Sequence, residues 1–191
     1  MISVVLPTIA GREDTLARAI AAYEDTLRGE KYELIVVRDK PNWPTACNEG
    51  YLKAKYNIVH FSSDDLEAVP GWWQPAVAHL QEHDELPAAA VYNFTTEDLD
   101  NAEDGEDGAF VHFTRVPILR TDQYERIGTW PEIAYYADIW LSEKARTLGI
   151  RTRILYGYAF IHHWSGIGRL DNRVNLDESG FALNRLREQM V

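Results

Sequence analysis

The stretch Ile58-Val59-His60-Phe61-Ser62-Ser63-Asp64-Asp65-Leu66 sets two adjacent carboxylates directly behind a run of strand character. Its apolar and aromatic residues draw the run into a sheet, so the acids emerge where the strand ends and the chain turns. In open α/β sheets that carboxyl edge is where ligands bind. A pair of hard oxygen donors there suits Mg²⁺ or Mn²⁺, and such a cation grips a substrate diphosphate. The same spelling also serves a solvated turn, for which Ser and Asp are ordinary residues.

Two further groups carry chemistry downstream. Asp138 is the lone acid in Ala134-Tyr135-Tyr136-Ala137-Asp138-Ile139-Trp140-Leu141, at the first turn of a largely apolar helical stretch. A carboxylate there stabilises the positive end of the helix. In an aromatic pocket, partial desolvation also raises its pKa and suits it to act as a general base. His162-His163-Trp164-Ser165-Gly166 follows a strand-like run that begins at Arg153. Adjacent strand residues point to opposite faces, so at most one imidazole reaches a given site. That imidazole completes a metal site with Asp64 and water, or it packs in the core or on the surface.

Other motifs are weaker. His79-Leu80-Gln81-Glu82-His83 spells the inverted zinc-peptidase pattern, with three fixed letters and no third ligand in view. Trp73, Val77 and Leu80 mark the buried stripe of that helix, which leaves His79 and His83 beside it or in solvent. The acidic segment 96–108 reads as a surface loop and fails the calcium-loop template at Gly105. No Gly-x-Gly-x-x-Gly follows the first strand, and no phosphate-cradling Gly-Lys-Ser/Thr loop or Gly-x-Ser-x-Gly elbow occurs.

The elements that must position these residues follow from periodicity. Ile2 to Leu6 is an apolar run stopped by Pro7, the pattern of a strand buried on both faces. After a turn over Thr8–Arg12, Leu16, Ile20, Tyr23 and Leu27 share one helical face, and Gly29 ends that helix. Glu33–Val37 is the next buried strand, so a right-handed parallel βαβ unit is expected. Asn42–Thr45 reads as loop, Ala46–Lys55 as helix, and Trp72–His83 as helix after Pro70-Gly71. Strands are expected at Ala89–Tyr92, Phe110–Phe113 and Arg153–Tyr158. Helices are expected at Asp122–Arg126, Tyr136–Leu148 and Gly180–Met190.

A chain of 191 residues is long enough for one well-cored domain. A formal net charge of −11 argues against a nucleic-acid or anionic-membrane surface. It leaves room for a nucleotide whose phosphates a divalent cation masks. Cys47 is the sole cysteine, so no intrachain disulfide forms and a reducing compartment is permitted. No apolar run approaches the roughly 18–20 residues of a membrane span. Met1-Ile2-Ser3 enters a strand directly, without the basic region of a signal peptide, so a cytoplasmic protein is expected.

Taken in order, the motifs resemble those of a family 2-type glycosyltransferase of the GT-A fold. Val4-Val5-Leu6-Pro7-Thr8 with Arg12 resembles that family's first strand and nucleotide-contacting turn. Val36-Val37-Arg38-Asp39 resembles the second-strand motif whose Asp recognises base or ribose. Ala46-Cys47-Asn48-Glu49-Gly50 resembles an Ala-Arg-Asn-x-Gly segment, and Phe61-Ser62-Ser63-Asp64-Asp65 stands in the place of the metal-binding Asp-x-Asp. Pro70-Gly71-Trp72 matches the usual sequel. Ile127-Gly128 through Leu141 resembles the acceptor-side segment whose Glu-Asp pair includes the base, and Gly149 also fits.

The resemblance implies an α/β fold with a mostly parallel central sheet flanked by helices. It implies one domain over 1–191, with 1–95 as the nucleotide-sugar half and 96–191 as the acceptor side and C-terminal helix. It assigns Pro7, Thr8, Arg12, Asp39, Asn48, Ser63 and Asp64 to the nucleotide sugar. Asp64, Asp65 and His163 fall to Mn²⁺ or Mg²⁺, and Asp138 to the general base of an inverting transfer. The acceptor is a glycan, a lipid-linked group or a protein. Trp130, Trp140 and Trp164 are candidates for stacking on sugars, with core packing as the ordinary alternative. Arg169 and Arg173 are candidates for a lid over the diphosphate. Ser62 replaces the first Asp of Asp-x-Asp, Ala137 replaces the usual Glu, and Lys40-Pro41 replaces a Gly-Ser turn. These departures keep two other readings open, a non-catalytic sugar-nucleotide or glycan-binding module and a sugar-phosphate nucleotidyltransferase.

Overall fold

A computed structural model describes residues 1–82, 88–95, 116–163 and 173–190. The element order is β1 (Ile2–Thr8), α1 (Glu13–Thr26), β2 (Tyr32–Arg38), α2 (Trp43–Tyr51), β3 (Ile58–Phe61), β4 (Leu66–Ala68) and α3 (Trp73–Glu82). It continues with β5 (Ala88–Thr95), β6 (Val116–Arg120), α4 (Thr121–Ile127), α5 (Ala137–Thr147), β7 (Arg151–His162) and α6 (Arg173–Glu188). The strands form one sheet in the order β2-β1-β3-β6-β5-β7-β4. β1, β2, β3, β5 and β7 run one way, and β6 and β4 run against them. The sheet is therefore mostly parallel, as expected, with β1–α1–β2 as the parallel βαβ unit.

Several expected boundaries move, each for a local reason. β1 continues through Pro7 to Thr8. The Val5 carbonyl accepts from Ser62 N on the β3 side, and the Thr8 carbonyl from Asp39 N on the β2 side. Pro7 therefore has its missing N–H on the β3 side, beyond the last pair Val5–Phe61, where no ladder bond is lost. α2 starts at Trp43 rather than Ala46, because Asn42 caps it through a 2.9 Å bond from Thr45 N and Pro44 sits in its first turn. β4 and β6 were not expected. β4 has three residues, too few for a periodic signal, and β6 carries Pro117. α6 begins seven residues before the expected Gly180. The expected strand Phe110–Phe113 and the acidic segment 96–108 lie outside the described residues.

The sheet separates two cores. Under α1 and α3 lie Ile2, Val4, Leu6, Leu16, Tyr23, Leu27, Trp72, Trp73, Leu80 and Phe160. Under α2, α4 and α5 lie Val5, Val37, Cys47, Phe61, Tyr124, Trp130, Leu141 and Ala145. β3 feeds both by alternation, Ile58 facing one side and Val59 and Phe61 the other. Gly50 lets α2 lie on β1. A Cβ there would come within 2.3 Å of Val5 Cγ1 and 3.2 Å of Val37 Cγ2. Of the two positions expected for His79, beside the buried stripe or in solvent, burial at 6% exposure excludes solvent, and His83 lies outside the described residues. No helix among the described residues is long and apolar enough to cross a membrane.

Candidate active site

The parallel strands collect the candidate residues at one edge. From β1 the chain crosses to β2 on one side and to β3 on the other, which makes the gap between β1 and β3 a topological switch point. Thr8 ends β1, Asp39 follows β2, and Ser62–Asp65 follow β3 at that carboxyl edge. α5 returns to the start of β7 through Gly149 (φ 70°), so the first turn of α5, with Asp138, lies at the carboxyl edge too. His162 and His163 reach the same edge at the end of β7. Acids 74 positions apart in the chain (138 − 64) thus share one rim of the sheet.

The turn after β3 is tightly held. Ser62 N donates to the Val5 carbonyl at 3.0 Å, and Trp43 Nε1 donates to the Ser62 carbonyl at 3.0 Å. Asp64, 1% exposed, accepts the Thr8 hydroxyl at 2.6 Å on one oxygen and Arg12 Nη1 at 2.7 Å on the other. Asp65 accepts Arg12 Nη2 at 2.9 Å on Oδ2 and the Ser63 hydroxyl at 2.6 Å on Oδ1. One guanidinium therefore bridges both carboxylates. Burial raises the Asp64 pKa above the ordinary carboxylate value, against the Thr8 hydrogen bond and the Arg12 charge. Burial also pushes Asp65 up, but His162, Ser63 and Arg12 outweigh it and hold Asp65 down at about 2.

The two histidines at the end of β7 have different partners. His163 turns its Nε2 to Glu67 Oε2 at 2.8 Å, with Arg18 Nη1 3.4 Å from its Nδ1. His162 takes the position beside the acids, its Nε2 3.5 Å from Asp65 Oδ2. Which parity faces the acids is set by the antiparallel register Leu66–His162, a long-range pairing. Arg18 and Glu67 stand near the site through His163. Neither carries a motif that singles it out in the sequence.

Among the described residues three non-glycine positions have positive φ: Asp39 (54°) after β2, and Thr129 and Tyr136 (both 65°) in the loop before α5. Backbone strain of this kind gathers where a fold positions functional groups. Asp39 Oδ1 accepts from Ala10 N at 2.8 Å, tying the end of β2 to the turn after β1. Asn48, expected at the nucleotide sugar, spends both ends of its amide on α4 and the loop that follows it. Its Nδ2 donates to the Trp130 carbonyl at 2.8 Å, and its Oδ1 accepts from Tyr124 Oη at 2.7 Å and Trp130 N at 3.1 Å. Asn48 therefore fixes the loop that delivers Asp138.

Trp130 is not a sugar platform. It is 2% exposed and packs edge-on against Trp43 and Phe61. Trp140 is half-buried on the same core, and Trp164 lies outside the described residues. Arg173 is the first residue of α6, and Arg169 lies outside the described residues.

No family model matches the sequence, and no curated protein matches it. Solved structures do match. S. aureus TarS superposes at TM-score 0.71 with 14% identity, covering 95% of this chain and 38% of that one. TarS 1-349 in complex with UDP gives TM-score 0.72 and 15% identity, covering 97% of this chain and 63% of that one. The mannosyltransferase PcManGT from Pyrobaculum calidifontis, in complex with GDP-Man and Mn²⁺, gives 0.70 and 14%, covering 93% and 61%.

The fold is that of the GT-A glycosyltransferases. The chain spans between 38% and 63% of the length of these GT-A proteins.

Proposed function

We propose that this chain transfers a sugar from a nucleotide-diphosphate sugar to an acceptor hydroxyl, with inversion at the anomeric carbon. The observation that carries this reading is the strand order, which sets Asp64 at the carboxyl edge of a GT-A sheet and the first turn of α5, with Asp138, toward that same edge. The two halves, 1–95 and 96–191, would form one catalytic unit, the first holding the donor and the second presenting the acceptor.

In this reading Thr8 and Asp39 would contact the nucleoside, and Arg12 the diphosphate. Asp138 would take the proton from the acceptor hydroxyl as its oxygen attacks the anomeric carbon. One base on the acceptor side supports a single displacement, hence inversion. Asp138 is half-buried, which limits water at that carboxylate.

The donor set fits a hard divalent cation. Asp64 and Asp65 offer adjacent oxygen ligands, and no cluster of three or more ligating side chains occurs among the described residues. Mg²⁺ is commonly held by one or two carboxylates, with substrate phosphates and water in the remaining positions. Asp64 and Asp65 would hold Mg²⁺ or Mn²⁺, which when bound would neutralise charge on the departing diphosphate. A cytoplasmic location belongs to this reading, supported by a sole cysteine, Cys47, that burial keeps as a thiol.

The test incubates the protein with Mn²⁺ or Mg²⁺ and a panel of nucleotide sugars, following release of nucleoside diphosphate. UDP and GDP sugars come first, because related folds were solved with UDP, UDP-GlcNAc and GDP-Man. Diphosphate release that rises with an added acceptor supports transfer. Saturable binding without release makes the chain a binding module. Pyrophosphate release from a nucleoside triphosphate and a sugar phosphate makes it a nucleotidyltransferase.

A further inference from the structure

We propose that Arg12 is the resident cation of the Asp64–Asp65 pair, and that its guanidinium and a divalent metal occupy that pair in turn. The proposal rests on the donor-site reading above and concerns how that site is loaded.

The guanidinium forks across two different carboxylates, at 2.7 Å from Asp64 Oδ1 and 2.9 Å from Asp65 Oδ2. The remaining oxygens are also engaged, by Thr8 Oγ1 and Ser63 Oγ, both at 2.6 Å. Every carboxylate oxygen that a metal would use therefore already accepts a hydrogen bond. Asp64 is buried and Arg12 is only 14% exposed at its side chain, so little water screens one cation from another. A metal between the acids and a guanidinium in the same place would repel strongly. One has to leave.

Arg12 is built to be the one that leaves. Its backbone stays fixed, because its carbonyl accepts Leu16 N at 2.9 Å and Thr15 Oγ1 at 2.8 Å at the head of α1. Exchange then turns a long side chain on a fixed backbone. A guanidinium displaced from the acids remains on the rim, where the planar fork suits phosphate oxygens. A diphosphate would draw Arg12 off the carboxylates and so open them to the metal. Metal and diphosphate should therefore favour each other, and by linkage the coupling is mutual. Without a diphosphate, Arg12 keeps the metal affinity low.

The test measures Mn²⁺ binding from the free-ion EPR signal, with no nucleotide present, in wild type, Arg12→Gln and Arg12→Lys. Arg12→Gln removes the competing charge and should bind Mn²⁺ at least tenfold more tightly than wild type. Lysine keeps the charge but lacks the planar fork that spans both carboxylates, so Arg12→Lys should bind several-fold more tightly than wild type. If Arg12→Gln fails to fold, Arg12→Lys carries the test by itself. Equal or weaker binding in the folded variants, or no Mn²⁺ binding in any form, overturns the proposal. Turnover plays no part in the measurement, so failure here and failure of the transfer reading are told apart by whether nucleoside diphosphate is released.

Discussion

Tyr23 Oη lies 2.7 Å from Ser62 Oγ, and both side chains are buried beneath the candidate site. His60 completes the chain, with Nε2 2.8 Å from Tyr23 Oη and Nδ1 3.2 Å from the Pro117 carbonyl. A carbonyl only accepts, so Nδ1 carries the proton and donates to it. Burial pushes the His60 pKa down to about 3, against the Pro117 bond, and the ring is neutral near pH 7. Nε2 is then an acceptor, Tyr23 donates to it, and the Ser62 hydroxyl donates to Tyr23. Position 62 thus faces the core under α1, which accounts for serine where the resembling motif has aspartate. Ser62→Asp would bury a carboxylate beside a tyrosine that burial already keeps from ionising. The substitution should cost about 3–5 kcal/mol, the loss typical of an uncompensated buried charge. Ser62→Ala should cost about 0.5–1.5 kcal/mol, one net hydrogen bond. Urea unfolding checks both, and a wild-type midpoint for Ser62→Asp would show that position 62 is not enclosed.

The same histidine predicts how stability depends on pH. His60 titrates near 6.5 when unfolded and at about 3 when folded, so the unfolded chain binds the extra proton between those values. Its contribution is fully present above about pH 6.5 and is lost as pH falls towards 3, by up to about 1.4 kcal/mol per unit. Asp65, held at about 2 in the fold, has an unfolded value near 3.9 and adds its own loss only below about pH 4. Between pH 4.5 and 6.5 the raised Asp64 pKa works in the opposite direction, so the histidine is read from the difference between wild type and a His60 variant. His60→Gln should flatten the profile in that window, and parallel profiles for the two proteins would contradict the assignment.

Gly50 offers a packing test. An added Cβ meets Val5 Cγ1 at 2.3 Å, and Val5 sits in β1 with strands on both sides, so it has little room to yield. Gly50→Ala should destabilise by about 1–3 kcal/mol, the usual range for overpacking. Val5→Ala removes the clashing methyls, so the double variant should recover part of the loss. A double-mutant cycle reads that coupling, and simple additivity would mean that α2 moves away from β1 as a body.

What the sequence made legible was whatever repeats locally. The stripe Leu16, Ile20, Tyr23 and Leu27 has the helical period, and Leu16, Tyr23 and Leu27 are buried with Ile20 partly so. The apolar run of β1 reads as a central strand because both its faces are covered, whereas β2, expected to be buried as well, stands at the edge of the sheet with only Ile35 and Val37 buried. β4 is too short to show a period, and Pro117 hides β6, although both lie within the sheet. The site was legible in residue type and less so in contact. Alternation shows that His162 and His163 part company, but the β4–β7 register decides that His162 is the one beside Asp65. The fork from Arg12 spans 52 positions to Asp64 and 53 to Asp65, and no local pattern encodes such a pairing. Asn48 sits in a motif-like segment, yet its amide serves Trp130, a partner 82 positions on.

Asp138 carries the sharpest functional prediction. The residue stands in the first turn of α5, its carbonyl held by the Ser142 hydroxyl at 2.6 Å, after a loop that Asn48 pins at Trp130. Helix N-terminus and loop are therefore fixed before any acceptor arrives, and Asp138→Asn should change little but basicity. An amide cannot take the acceptor proton, so turnover should fall by roughly 10²–10⁴-fold, the contribution usual for a general base. Nucleotide affinity should stay within about twofold, because the donor contacts assigned to Thr8, Arg12 and Asp39 lie at the ends of β1, α1 and β2, outside α5. Asn48→Ala should act differently, lowering turnover by loosening the loop and lowering stability together by about 1–3 kcal/mol, as buried groups at Trp130 and Tyr124 lose a partner. Diphosphate-release kinetics with nucleotide titrations on both variants separate the two roles. Wild-type turnover in Asp138→Asn would remove this residue as the base.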